Sequence, residues 1–147
     1  MIAMTLGLTF FINQLSTAQN TNDVDSWKLY KEISGLQVFS KEINCNDNQN
    51  GIHQKFIIFQ FVNSTSEKMT INWQKETWYD GKCTTCGKPA STENTYILTL
   101  APGESTEASC DNTSMGGLKI FSNFLNTVKG SHLTQFEFKN LSVSFEQ

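Results

Sequence analysis

The chain has 147 residues, of which 38% are hydrophobic, 17% are charged and 2 are Pro, and this composition predicts one folded domain rather than a disordered or collagen-like chain. The formal net charge is -3, and all 11 basic residues are Lys. Because no Arg is present to make bidentate contacts with phosphate, the composition argues against a nucleic-acid partner.

The first residues predict an export signal. The apolar run 2–12 is much shorter than the roughly 20 residues that a helix needs to cross a bilayer. Ser16 and Ala18 follow at the small-residue positions that signal peptidase requires. We therefore predict a signal peptide at 1–18, a flexible leader at 19–26 and a single β-sandwich domain at 27–147. No transmembrane segment is expected in the mature chain. The alternative, that the apolar run is a buried strand or helix of the fold, stays open at this point.

The next segments have the periodicity of strands. Apolar residues on both sides of Ser34-Gly35 predict two short strands joined by a tight turn. Residues 56–62 are apolar at both parities, which is typical of a central strand covered on two faces. Residues 69–73 alternate strictly between apolar and polar side chains, and this alternation predicts a strand that buries one face.

Turn signals continue in the second half of the chain. Residues 96–100 repeat the alternation, and Pro102-Gly103 then fits the two central positions of a type II turn. Residues 105–110 are expected to return as a short strand. Residues 118–128 fit either one face of a helix or a strand followed by a loop, and we favour the strand.

The C-terminal segment carries apolar residues at both parities, and a single flat strand cannot bury both sets. A bulge or register change is therefore predicted near Lys139 and Asn140. The two apolar sets are Phe136 and Phe138, and Leu141, Val143 and Phe145. No segment after the leader shows a sustained helical repeat with caps. About seven to nine short strands predict an all-β fold, an antiparallel β-sandwich.

Two motifs add a resemblance to this fold prediction. FVNST at 61–65 is followed by the alternating strand at 69–73, and LTLAPGES occupies 98–105. This layout resembles the immunoglobulin-like β-sandwiches of small secreted bacterial envelope proteins. The resemblance covers roughly 52–110, implies an immunoglobulin-like sandwich, and implies no catalytic residue.

The cysteines are the strongest chemical signal. The chain has 4 Cys, and an even number in a small exported domain predicts two disulfides. Three pairings are possible, and we favour Cys45 with Cys110 and Cys83 with Cys86. The C-x-x-C spacing also fits one half of a structural zinc site or a thiol redox motif, which are the alternatives.

Adjacent aromatic residues are the second candidate site. In an extended chain Trp78 and Tyr79 point to opposite faces, so one of them can reach solvent and bind a sugar ring or a partner protein. In the competing interpretation, Trp73 and Trp78 fill the core and Tyr79 packs at its rim.

Motifs for catalysis and metal binding are missing from the sequence. His53 and His132 stand far apart, outside any metal-ligand spacing, and no nucleophile elbow or phosphate-binding loop occurs. We predict no catalytic residue, no metal, no cofactor and no enzymatic activity.

The expected function is that of a non-enzymatic exported β-sandwich, a protein-interaction or accessory subunit at the cell envelope. Its expected place is the periplasm, the outer membrane surface or the outside of the cell, and its expected partner is another envelope protein. The alternatives are a carbohydrate-binding module that uses Trp78, Tyr79 or Trp73 to hold a glycan, and a structural zinc or thiol redox protein.

Overall fold

The computed structural model describes residues 26–89, 94–111 and 115–146. The predicted signal peptide at 1–18, and the leader up to Asp25, lie outside these residues. Across the described ranges the chain forms nine strands, one short 3-10 helix at Gly116–Leu118 and no α-helix. The described part of the chain contains no helix that is long and apolar enough to span a membrane.

The strands form two antiparallel sheets. The first sheet contains β1 (Lys28–Ile33), β2 (Leu36–Asp47), β3 (Ile52–Asn63), β7 (Ser105–Glu107) and β8 (Lys119–Phe124). Its order is β1-β2-β3, and β7 and β8 share the other edge of β3. The second sheet contains β4 (Met69–Tyr79), β5 (Lys82–Cys83), β6 (Thr95–Leu100) and β9 (Leu133–Phe145). Here β4 is central, with β9 on one edge and β5 and β6 on the other.

The predicted all-β, disulfide-stapled antiparallel sandwich is confirmed. Aromatic rings join the two sheets: the ring centroids of Phe59 and Phe138 lie 4.6 Å apart, and those of Phe61 and Trp73 lie 4.9 Å apart. Ile58 and Phe59 are both buried although they have opposite parities, as expected for a central strand. The strands β2, β3, β4 and β9 are longer than expected, because pairing continues beyond their apolar segments into polar residues.

The predicted turn at Ser34-Gly35 is a two-residue hairpin. Ile33 pairs with Leu36, and Ser34 and Gly35 have φ angles of 48° and 77°. Positive φ at both central residues is the type I′ geometry, whose twist matches that of paired strands. A Cβ on Gly35 would also clash with Cγ2 of Thr65, so the position favours glycine on steric grounds as well.

The predicted bulge in β9 is also present. The register with β4 shifts between Asn72 and Gln74, so Asn140 and Leu141 both lie opposite Trp73. Asn140 has a φ of 52°, a conformation that Asn tolerates better than most residues. The extra residue changes the parity of the strand, so residues on both sides of the bulge reach the core. These are Phe136, Phe138, Leu141 and Val143.

The turn after β6 has the predicted type II features, but it changes sheet. The N–H of Glu104 donates to the carbonyl of Ala101 over 3.0 Å, and Gly103 has a φ of 71°. The following strand, β7, pairs with β3 of the first sheet instead of returning along β6. The side chain of Asn63, 0% exposed, stabilises this corner by donating from Nδ2 to the carbonyls of Glu67 and Ala101 over 2.8 Å and 2.9 Å.

Candidate functional site

The four cysteines form two disulfides, Cys45–Cys110 and Cys83–Cys86. This is the pairing favoured from the sequence. With both bridges closed, no thiolate is free to bind zinc, and the described residues hold no group of three or more His, Cys, Asp or Glu side chains placed for a metal. A closed C-x-x-C ring is also the oxidised form of a thiol oxidoreductase, so the redox alternative stays a prediction.

The ring closed by Cys83 and Cys86 is held against β4 by threonines. The backbone N–H of Thr77 donates to Oγ1 of Thr85 over 3.0 Å, and the N–H of Thr84 donates to the carbonyl of Thr77 over 2.9 Å. The ring therefore has a fixed place beside the second half of β4.

Trp78 and Tyr79 lie on opposite faces of the second sheet, as predicted. Both are half-buried. The hydroxyl of Tyr79 donates to the carbonyl of Phe121 over 2.7 Å, and the two rings stack at 6.4 Å. Trp73, in contrast, is 3% exposed and belongs to the core. Trp78 and Tyr79 therefore do not form one shared aromatic platform.

A cleft at one end of the sandwich was not predicted. The core-facing side of β4 begins with Met69, Ile71 and Trp73, which are buried. The next residues of the same parity are Lys75, Thr77 and Tyr79, and these line an open cleft of about 510 Å³. The strict alternation of β4, followed two residues at a time beyond Trp73, is the signal that could have located them.

The other walls of the cleft come from three parts of the chain. The loop after β5, the start of β6 with the residue before it, and β8 on the opposite sheet each contribute side chains. Beyond the three β4 residues, the described lining consists of Thr85, Lys88, Pro89, Asn94, Tyr96, Lys119, Ile120 and Phe121. This lining combines aromatic surface with lysines, and none of these residues is acidic.

Lys75 is the ammonium group inside the cleft. Its Nζ donates to the carbonyls of Gly116 and Lys119, the latter over 2.9 Å, and lies 4.8 Å from the ring centroid of Tyr96. Among the described residues no carboxylate lies within ion-pair distance of Lys75. Burial without an anionic partner disfavours the charged form and lowers the pKa of Lys75 to about 8.

The turn before β8 supports this arrangement. It follows Met115 and forms the 3-10 helix at Gly116–Leu118. The indole Nε1 of Trp73 donates to the carbonyl of Gly117 over 3.3 Å. A Cβ on Gly117 would lie 2.8 Å from atoms of both Trp73 and Tyr96, so glycine permits the close packing that places the carbonyl of Gly116 at Lys75.

A second surface feature lies where the β8–β9 loop meets the β2–β3 turn. The N–H of Leu125 donates to the carbonyl of His53 over 2.8 Å, and Nδ2 of Asn126 donates to the carbonyl of Gly51 over 3.0 Å. Four exposed apolar residues occur in these segments, and Val128 is 94% exposed. We call them the apolar tip: Ile52, Phe124, Leu125 and Val128.

The two histidines do not share a site in the structure. Nδ1 of His53 lies 2.9 Å from Oδ1 of Asn46, in the hairpin of β2 and β3. His132 lies 3.9 Å from Asp80, at the turn after β4. Each therefore has a polar neighbour near the end of a strand.

The kinship with immunoglobulin-like envelope proteins stays a prediction. The two antiparallel sheets agree with the fold that this resemblance implies. Comparison of the chain with protein-family models, curated proteins and solved structures finds no match.

Proposed function

We propose that this chain is a non-enzymatic, exported β-sandwich that binds another protein of the cell envelope through the apolar tip. The observation that carries the proposal is the exposure of four large apolar side chains in two neighbouring segments. Large apolar side chains that are exposed in neighbouring segments are costly in water and commonly mark an interaction site.

The chemistry of the tip supports a protein partner. Between β8 and β9 the loop carries one lysine, Lys129, one histidine, His132, and no carboxylate. The centres of protein interfaces are depleted of charge and enriched in large apolar and aromatic residues, and the tip has both properties. Hydrogen bonds from Leu125 and Asn126 hold the loop against the neighbouring hairpin, so the apolar residues stand on an ordered backbone. A partner would therefore meet a surface that is already formed.

The disulfides support an exported location. Two closed bridges persist in oxidising compartments, such as the periplasm or the extracellular space, and are uncommon in the cytosol. Together with the predicted signal peptide at 1–18, they support a place in the periplasm, on the outer membrane or outside the cell.

The test uses affinity capture with matched surface variants. We expect the tagged wild-type protein to retain a partner from native envelope extracts, and the double variant Leu125→Asp/Val128→Asp to lose it. Ile97→Asp, on an apolar residue of β6 that is 68% exposed, is the control and should retain the partner. Recovery of the wild-type chain alone, or equal capture by all three proteins, would overturn the proposal.

The carbohydrate-binding alternative has less support from the geometry. Flat sugar rings stack on exposed aromatic faces, but Trp78 and Tyr79 project to opposite sides of the sheet and Trp73 is buried. Sugar stacking on the outer face of β4 would depend on Trp78. A glycan array that compares wild type with Trp78→Ala tests it directly, and a signal that disappears in the variant would favour a glycan ligand.

A further inference from the structure

The cleft beside the second half of β4 adjoins the apolar tip, since the ring centroids of Phe121 and Phe124 lie 5.0 Å apart. No residue of the tip belongs to its described lining, so the cleft offers a binding site of its own. It continues the interior of the sandwich, since Lys75, Thr77 and Tyr79 occupy the core-facing positions that follow Trp73. Its volume of about 510 Å³ lies within the usual range for small-molecule sites. A partly enclosed cavity of this size suits a small molecule better than a protein surface.

The charges of the cleft indicate the sign of the ligand. The described lining includes three lysines and no acidic residue, although the whole chain has a net charge of -3. The ammonium of Lys119 is directed away from the cleft, because it donates over 3.0 Å and 2.9 Å to the carbonyls of Ser109 and Cys110, neither of which belongs to the described lining. Lys88 is exposed at the mouth. Lys75 is therefore the cation that a bound molecule would meet inside.

The ammonium of Lys75 also has one N–H donor that no described carbonyl accepts. An ammonium carries three N–H donors, and the carbonyls of Gly116 and Lys119 accept two of them. These carbonyls are neutral, so they satisfy hydrogen bonds without compensating the charge. Glu76, the acidic neighbour in sequence, belongs to the opposite parity of β4 and lies 3.9 Å from Lys139. An incoming anion would supply both the third acceptor and the missing charge.

The remaining walls indicate the body of the ligand. The rings of Tyr79 and Phe121, both in the lining, stack against each other, and the ammonium of Lys75 lies over the ring of Tyr96. The ring of Tyr96 in turn stacks on Trp73 at 5.6 Å. Ile120 is apolar and largely buried. An inorganic anion would leave these surfaces unused, whereas a molecule with an apolar or aromatic body would cover them.

We propose that the cleft binds a small organic carboxylate, with its apolar or aromatic body against Tyr79, Tyr96 and Phe121 and its carboxylate bonded to the ammonium of Lys75. The third N–H of Lys75 donates the hydrogen bond, and the negative charge of the carboxylate compensates the positive charge of the ammonium. A neutral ligand of the same shape gains the apolar contacts alone.

The test is a titration of the disulfide-bonded protein with four probes, followed by calorimetry and by amide NMR shifts. The probes are 4-phenylbutyrate, octanoate, the neutral 4-phenylbutanol, and acetate, which lacks an apolar body. We expect the two larger carboxylates to bind at least about tenfold more tightly than the alcohol or acetate, as a charge-assisted hydrogen bond and apolar contacts together predict. Shifts should centre on Lys75, Tyr79 and Tyr96.

Variants separate the role of Lys75 from general positive charge. Lys75→Met should weaken 4-phenylbutyrate by about tenfold or more, while Lys31→Met, which removes an exposed lysine of β1, should leave the affinity unchanged. Affinity of the wild type should fall as the pH rises above about 8, because Lys75 then loses its proton. The proposal would be overturned if the alcohol bound as tightly as 4-phenylbutyrate, or if neither larger carboxylate bound. It would also be overturned if the NMR shifts mapped outside the cleft, or if Lys75→Met bound 4-phenylbutyrate with unchanged affinity. Should the variant fail to fold, the wild-type shift map and pH profile still decide it.

Discussion

The two halves of β4 share one strand and one face, yet their surroundings differ. From Met69 to Trp73 the inward side chains are buried between the sheets. From Lys75 to Tyr79 the same face opens into the cleft. The difference comes from the opposite sheet and the connecting loops: Phe61 of β3 packs on Trp73 in the first half, whereas β8 and the loop after β5 leave space over the second. Alternation thus reports the direction of a side chain, and the neighbouring elements decide how deeply it is buried.

The largest expected effect comes from truncating a ring in each half. Trp73→Ala removes ring contacts with Phe61 and Tyr96 and a hydrogen bond to Gly117, so we expect unfolding free energy to fall by about 3–5 kcal/mol. Tyr79→Ala, at the open end, should cost less than half as much, because water can enter the space that the ring leaves. Chemical denaturation of both variants measures the difference. Equal losses would show that the two halves are equally packed.

The two disulfides offer a second comparison. Cys45–Cys110 closes a separation of 65 residues and Cys83–Cys86 one of 3, so the chain-entropy model gives the longer loop about 4 kcal/mol of stabilisation and the shorter about 2 kcal/mol. The double Ala variant of each pair, followed by denaturation in urea, tests this order. Removal of Cys83–Cys86 should also weaken carboxylate binding in the cleft, since its ring positions Thr85. The Cys45–Cys110 variant should retain cleft affinity if it folds.

Two adjacent glycines, at the boundary between the buried half of β4 and the cleft, test how tightly that boundary is packed. Gly117→Ala places a methyl group 2.8 Å from atoms of Trp73 and Tyr96, and we expect a loss of about 1–3 kcal/mol. Gly116→Ala is the matched control, because no atom lies within 4 Å of its Cβ position. Its effect should stay within about 0.5 kcal/mol. Thermal unfolding followed by circular dichroism distinguishes the two, and similar losses would contradict the close packing at Gly117.

The smallest expected effect concerns the charge of Lys75. Its pKa is about 8 in the folded protein and about 10.5 in the unfolded chain, so the unfolded state binds more protons between these values. The free energy of unfolding therefore increases as the pH rises from about 8 to about 10.5. Below pH 8 the charged Lys75 lowers the free energy of unfolding by a constant amount. Lys75→Met removes the penalty, on the order of 1 kcal/mol after allowance for solvent in the open cleft.

The measurement is the difference in unfolding free energy between Lys75→Met and wild type across this pH range. We expect the variant to be the more stable protein at pH 7 and the difference to shrink above pH 8. A constant difference across the range would mean that the ammonium is well solvated in the folded state.

Local features of the fold were predictable because adjacent residues determine them. The Ser34-Gly35 hairpin, the turn at Pro102-Gly103 and the bulge near Asn140 each follow from backbone preferences or parity over a few residues. The pairing of β7 with β3 was not predicted, since a turn motif fixes the reversal of the chain but not the sheet that the next strand joins.

The surface features required contacts between distant segments. Lys75 becomes a half-buried cation because the carbonyls of Gly116 and Lys119, more than forty positions away, come to lie beside it. The favoured interpretation of 118–128, a strand followed by a loop, is confirmed by β8, but the 94% exposure of Val128 depends on how that loop packs. Periodicity could have placed Lys75 on the inner face, but the space around it depends on the tertiary fold.

The buried corner at Asn63 has a consequence for production of the protein. Asn63-Ser64-Thr65 matches the acceptor sequence for N-linked glycans. The Asn63 side chain is nevertheless fully buried, and its amide nitrogen donates hydrogen bonds to backbone carbonyls. In a eukaryotic host, a glycan attached to the nascent chain at this amide would replace one of its two N–H donors and would place a sugar where the two layers close at this corner. Secretion from bacteria, or a host without oligosaccharyl transfer, leaves the corner free to close.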